Sequence, residues 1–379
     1  QDLNNLTFLK SVEFFEKQKK KKDFKKDFIS FKNYFKINGR YLMLKNNYSV
    51  IVQDLYIPKN FIVKILPGQK IKLKNTLIIF SDSPWVAGEK NKKKVYIGGD
   101  KDEFGGGLII NSTLEKKSIF NNVIFSYLYG ANNRIIYNNE NTQVISSKYL
   151  GYNKYQNKIL DINAEDVIRF NGHKFFGALN FYKSNVEIKD CTFSNVNSED
   201  ALNIISSEFK IENSYFNQNA SDSIDIDFSN GKIENVKISY SGNDGIDLSG
   251  SKIILKDIEV LSVGDKSVSV GENAFIEINN IVINDSFIGI ANKDGSRTTV
   301  KNLSIKNTKI PLASYRKKTA YDFGKLIVKK PFKIENYIVK VLKDKKSIVI
   351  IDNQKIKKSN ANPLEIVYKK NVKLLNQLN

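Results

Sequence analysis

ALNFYKS from Ala178, ALNIISS from Ala201, SIDIDFS from Ser223, GIDLSGS from Gly245, SVSVGEN from Ser267 and GIANKDG from Gly289 are variants of one phrase. Their apolar anchors, Leu179, Leu202, Ile224, Ile246, Val268, Ile290 and Leu312, follow one another at 23 and then 22 residues. A second column, Phe193, Phe216, Ile238, Val260 and Val282, keeps that period. Each repeat therefore holds at least two short strands, separated by turns rich in Gly, Asn, Ser and Asp. A repeat of this length without helical periodicity predicts stacked coils, a parallel β-helix of about 22 residues per coil. Each residue then lies over its equivalent in the preceding coil, at the interstrand spacing of about 4.8 Å. Inward Leu, Ile, Val and Phe ladders form the core, and Cys191, in VEIKDCTF, reads as one more small buried hydrophobe.

The same texture continues upstream less regularly, in YIPKNFIVKILPGQKIKL from Tyr56, GGGLIINS from Gly105 and NNVIFSYL from Asn121. Between them KNKKKVYIGGDKDEF, from Lys90, reads as a projecting loop. Residues 1 to about 36 carry apolar residues at Phe8, Val12 and Phe15, then at Phe24, Phe28, Phe31 and Phe35. That spacing of threes and fours predicts a helix capping the first coil. The expected organisation is an N-terminal helical cap and lead-in over 1–49, a β-helix over 50–324, and a small basic β-rich segment over 325–379.

Composition excludes several classes. The 379 residues are 41% hydrophobic and 11% aromatic, which is core material rather than a disordered polycation. No apolar run approaches the roughly 20 residues of a membrane span. One cysteine and one histidine, His173, exclude a disulfide framework and a His-rich metal cluster. The formal charge of +20 is carried by lysine spread along the chain, with only Arg40, Arg134, Arg169, Arg297 and Arg316 as arginines. It reads as solvated surface better disposed to a polyanion than to a polycation, and no nucleic-acid partner is expected.

Aligning the repeats creates chemical columns. Two residues before the anchors stand Gly177, Asp200, Asp222, Asp244, Lys266 and Ile288. One residue after them stand Asn180, Asn203, Asp225, Asp247, Ser269 and Ala291; three after stand Tyr182, Ile205, Asp227, Ser249, Gly271 and Lys293. By strict alternation the last two columns share the face opposite the anchors. Two carboxylates about 4.8 Å apart repel by roughly 3 kcal/mol at an effective dielectric near 20. A cation such as Ca²⁺, a neighbouring lysine or a retained proton must offset that. Alternatively these Asp and Asn side chains hydrogen-bond the turns. Strands disfavour Asp, so Asp225, Asp227 and Asp247 are the expected metal ligands.

The repeat resembles the right-handed parallel β-helix proteins of the pectin-lyase-like superfamily over roughly residues 50–324. Within them ASDSID, GNDGID, GDKSVSVGE and GIANKD resemble in part the polygalacturonase-type glycoside hydrolase motifs Asn-Thr-Asp, Gly-Asp-Asp, Gly-His-Gly and Arg-Ile-Lys. The resemblance implies Asp222 and Asp244 as the pair that activates water and Lys293 as the holder of a substrate carboxylate. The same alignment puts that family's general acid on Asn243, its histidine on Asp265 and its arginine on Ala291. The catalytic candidates are therefore Asp222, Asp244, Asp265, Lys266 and Lys293, with Asp247, Glu272, Arg297 and Tyr182 as substrate-binding candidates. The function expected is a secreted, periplasmic or cell-surface protein that cleaves an acidic polysaccharide by hydrolysis or β-elimination, with Ca²⁺ and no organic cofactor. The alternative is a noncatalytic glycan-binding or scaffold β-helix whose acidic ladders are stabilised by cations.

Overall fold

The protein is described by a computed structural model covering residues 29–74, 77–112, 115–130, 169–170, 173–175, 177–357, 362–369 and 375. The anchor column extends in both directions beyond the regular repeat. Ile29, Leu55, Ile79, Leu108, Leu179, Leu202, Ile224, Ile246, Val268, Ile290, Leu312 and Val341 are successive partners, every pair parallel. The result is a β-solenoid of about 12 turns averaging ~23 residues. Among the described residues no helix is long and apolar enough to cross a membrane.

Each coil has three faces. In one coil the first face is Asp222–Asp227, and the strand Asn230–Ser241 bends at Asn235 to supply the second and third. The bends are made by residues with left-handed backbone, stacked coil upon coil. One corner carries Lys183, Ser206, Phe228 and Gly250; the next carries Asp190, Asn213, Asn235, Asp257, Asn280 and Asn302. Asn and Asp dominate the second corner because their short side chains tolerate that region and bond locally, as Asn235 does to Asn213 at 2.8 Å.

Inside, like sits on like. Phe193 stacks on Phe216 with ring centroids 4.5 Å apart and planes 2° from parallel, and on Phe125 at 4.8 Å. A buried serine ladder lines the first corner. Ser184 N donates to Ser207 Oγ, Ser207 N to Ser229 Oγ and Ser229 N to Ser251 Oγ, at 2.8, 3.0 and 3.0 Å. Ser207, Ser229 and Ser251 each turn their own hydroxyl proton to the carbonyl two residues earlier. The ladder thus satisfies backbone groups that the turn removes from the sheet.

Four expectations are corrected. Among the described residues the helical cap is not seen: Phe31–Asn33 is one 3₁₀ turn, and Phe35–Asn38 pairs antiparallel with Tyr41–Leu44 about the Gly39-Arg40 turn, with Gly39 at φ 57°. Phe35 is buried edge-on against Trp85 in the core, and the rest of the expected helix, residues 1–28, lies outside the described residues. The stretch from Lys90 is not all loop, since Val95–Gly98 is a strand between Lys70–Leu73 and Val123–Ser126. The partner of Val260 is Ile283, whereas Val282 is 45% exposed. The extra residue enters where Glu272 and Asn273 are both left-handed, and the register returns where Gly264-Asp265 oppose Phe287 alone, a bulge. Finally, parallel stacking runs past Gly324, through Lys325–Glu335 to Ile348–Ile351.

The serine ladder makes a definite claim on stability. Ser229→Ala leaves the buried Ser207 amide without its acceptor and is expected to destabilise by about 1–3 kcal/mol, read as a lowered urea midpoint at unchanged m value. A midpoint equal to wild type would show the ladder to be dispensable.

Candidate functional site

The outer surface of the first face is covered near both ends by apolar clusters. Ile78, Phe80, Ile109, Phe175, Tyr182 and Ile205 form one. The other joins Ile288, Ala291, Ile310, Ala313 and Tyr315 to Ile366 and Val367 of the helix Pro363–Tyr368, so the C-terminal segment packs back across the coils. Ile288 and Ile310 stand two residues before their anchors. Strict alternation would turn that column inward with the anchors, yet it faces outward here. Asp200, Asp222, Asp244 and Lys266 consequently stand on the same outer surface as Asp225, Asp227, Asp247 and Lys293, between the two clusters.

The two sets of carboxylates differ in what occupies their oxygens. Asp222 Oδ1 accepts from Asn243 Nδ2 at 2.7 Å and from Asp244 N at 2.8 Å. Asp244 Oδ1 accepts from Lys266 N at 3.0 Å and Lys266 Nζ at 3.3 Å, and the same ammonium donates to Asp265 Oδ2 at 2.5 Å. These are coil-to-coil fasteners of the kind Asp supplies to turns. Asp247, on the strand itself, keeps 27% of its side chain exposed, and its Oδ1 has no hydrogen-bond partner. Lys293 Nζ lies 4.0 Å from that oxygen and donates to Ser269 Oγ at 2.7 Å. Its stem crosses Gly271, where an added Cβ would meet Lys293 Cε at 3.6 Å. Asn203 bridges Asp200 and Asp225 through Nδ2, at 3.2 and 2.9 Å.

The electrostatics follow from burial and stacking. Burial first, and then neighbouring carboxylates, hold the Asp200, Asp222 and Asp225 carboxyls well above the usual range. Burial, Asp247 and Glu272 push Asp227 up to about 7. Burial also raises Asp244, to about 6, although Lys266 pulls against it. Asp247 goes the other way: burial opposes ionisation, but Lys293, a hydrogen bond from Ser269 and Lys266 outweigh it. Lys266 stays charged because Asp244 and Asp265 outweigh its burial.

The expected residues thus divide. Asp222, Asp225, Asp227, Asp244, Asp247, Asp265, Lys266 and Lys293 are brought together. Glu272 stands at the margin, bonded to Lys318 and, at 3.2 Å, to Tyr321. Two candidates stand apart: Tyr182 is buried in the first apolar cluster against Phe175, and Arg297 lies over the Phe275 ring at the start of a second-face strand. Sequence reasoning missed Asn203, Asn243, Ser269 and Lys317. Asn203 and Ser269 were visible as polar members of the columns, and Asn243 as the residue that precedes Asp244. Lys317 was not, because only the returning helix places it over the Tyr368 ring, beside Lys293 and Lys266.

For a cation, the tightest set is Asp222, Asp244 and Asp247, each offering one oxygen with mutual separations within 4.8 Å. It shares only Asp247 with the ligands expected from sequence, because Asp225 is tied to Asn203. The unpartnered Asp247 Oδ1 and the all-oxygen donor set fit a hard ion such as Ca²⁺.

Residues 177–325 match the family model described as a right-handed β-helix region. No curated protein matches the chain. Among solved structures the chain is similar to a variant of the periplasmic alginate epimerase AlgG, at 8% identity over 83% of each chain with a TM-score of 0.39. It is also similar to the A-module of the mannuronan C-5 epimerase AlgE4 of Azotobacter vinelandii, at 10% identity over 85% of this chain and 89% of that one, with a TM-score of 0.28. The strand registers, not these similarities, establish the fold.

The raised carboxyl groups fix the sign of the pH dependence. Above the ordinary aspartate value of 3.8 the unfolded chain has released protons that the folded chain retains, so stability is expected to fall as pH rises through about 6 and about 7. Asp247 works oppositely, adding stability that is lost only as pH falls below the usual carboxylate range. Thermal melts in EDTA across this range test it, and a melting temperature that climbs with pH would refute it. Asp225→Asn, which keeps an acceptor for Asn203 and removes a buried ionisable group, is expected to raise stability at pH 8 by about 1 kcal/mol. Adding Ca²⁺ to wild type at that pH is expected to raise the melting temperature, and no response would rule out the cation site.

Proposed function

We propose that the protein binds an acidic polysaccharide across the outer surface of the first face and hydrolyses a glycosidic bond in it outside the cytoplasm. The observation that carries the reading is the divergence of two carboxyl groups on adjacent coils. Asp227 holds its proton up to about neutral pH, while Asp247 is ionised beside Lys293. Carboxyl groups whose surroundings push their pKa values apart are the usual basis of acid and base roles.

In this reading the Asp227 proton passes to the glycosidic oxygen as the bond to the anomeric carbon breaks. Asp247 takes a proton from the attacking water, whose oxygen bonds that carbon. Asp222 and Asp244 hold the strand geometry and, with Asp247, would hold a cation where one binds; Lys266 keeps Asp244 in place. Lys293 and the exposed Lys317 face the substrate's carboxylates. Lys317 suits a polyanion because burial of its stem, Lys293 and Lys266 all lower its pKa, a repulsion that a bound carboxylate relieves. A noncatalytic glycan-binding surface is the second reading. It is favoured by the coil-to-coil bonds that already occupy Asp222, Asp244 and Lys266.

The test is release of reducing ends from polygalacturonate, alginate and related uronans, with absorbance of unsaturated uronate followed alongside. Hydrolysis gives reducing ends without new absorbance; reducing ends with it would mean β-elimination and overturn the water-attack step. Asp247→Asn is expected to lower turnover by about 10²–10⁴-fold while the protein stays folded. Activity should fall above about pH 7 as Asp227 loses its proton. Folded wild type that binds these polymers and releases nothing would establish the second reading.

A further inference from the structure

Phe228 has an unusual combination of properties. It is 55% exposed, and its backbone is left-handed at φ 48°, a region that suits Gly and Asn and strains a bulky side chain. The corresponding corner position in neighbouring coils is held by Ser206 and Gly250. At Gly250 an added Cβ would lie 2.4 Å from Phe228 Cδ1 and 2.6 Å from Cε1, so the ring rests on a patch that the next coil keeps bare. Burial of apolar surface does not account for a strained, half-exposed ring, and polar residues fill this corner elsewhere without difficulty. What distinguishes this coil is the preceding residue, Asp227, and the outward row that follows it. Asp227 is succeeded along the stack by Ser249 and by Gly271, over which Lys293 leans back.

Resting on the function proposed above, we infer that Phe228 is the platform on which one pyranose ring of a uronan stacks while its neighbour lies over Asp227 and Asp247. A pyranose presents a face of C–H groups that packs on an aromatic ring, and its carboxylate and hydroxyls stay free for Lys293 and solvent. Phe228 is therefore a binding and positioning residue, not a catalytic one.

The experiment measures calorimetric affinity for oligogalacturonate and oligoalginate together with melting temperature, in wild type, Phe228→Gly, Phe228→Asn and Phe228→Tyr. Gly and Asn both accept the left-handed backbone, so their melting temperatures are expected to equal or exceed that of wild type. Both are expected to weaken binding by about tenfold, and Tyr by less than about twofold. Gly and Asn variants that bind like wild type would overturn the platform and leave the proposed function standing. Variants that lose affinity and melting temperature together would show Phe228 to be structural and overturn it too. Wild type that binds neither oligosaccharide would overturn both proposals at once.

Discussion

Vertical stacking at about 4.8 Å is the constraint from which the rest of this structure follows. It sets every side chain directly over its equivalent and leaves no freedom to offset like from like. For apolar residues that is an advantage, visible in the Phe193–Phe216 pair and in an anchor column running from Ile29 to Val341. For carboxylates it is a penalty repeated at each coil. A fold that carries Asp200, Asp222 and Asp244 in one column, and Asp225 and Asp247 in another, must answer that penalty locally.

Three answers are used together, and they give each aspartate a different character. Backbone amides of the following coil reach back to Asp222 and Asp244, joined by the Asn243 amide at Asp222 and the Lys266 ammonium at Asp244, turning charge into fasteners. Protons are retained where burial and neighbouring carboxylates outweigh the donors in reach, as at Asp225, bonded by Asn203, and at Asp227. Lys293, crossing the bare backbone of Gly271, leaves Asp247 ionised but only partly satisfied. Residues of one type in one repeat are thereby left protonated, ionised or spent as fasteners by the neighbours one coil away.

The columns were legible before any coordinates, and so was their concentration between Asp200 and Lys293. Their division was not. Alternation alone would have put Asp222 and Asp244 inward; their outward direction becomes evident only where Ile288 and Ile310 in the same column pack beneath the returning helix. The offset of Val282 from its column was hidden for a related reason. One residue gained at Glu272–Asn273 and one lost opposite Gly264-Asp265 cancel in the anchor spacing, so the period looks undisturbed while the second and third faces slip.

The sequence by itself determined the coil, its period and the identity of the stacked columns, because a repeat is a one-dimensional property and stacking reproduces it without further information. It also determined where charge would accumulate. Only the tertiary structure decided which carboxylates are spent on holding coils together and which face solvent with an oxygen to spare. That depends on contacts across the repeat: an ammonium leaning back over a glycine, an asparagine bridging two coils, and a C-terminal helix lying across the face. Such contacts join residues from 22 to 53 positions apart in the chain, and the identities of the columns carry no record of them.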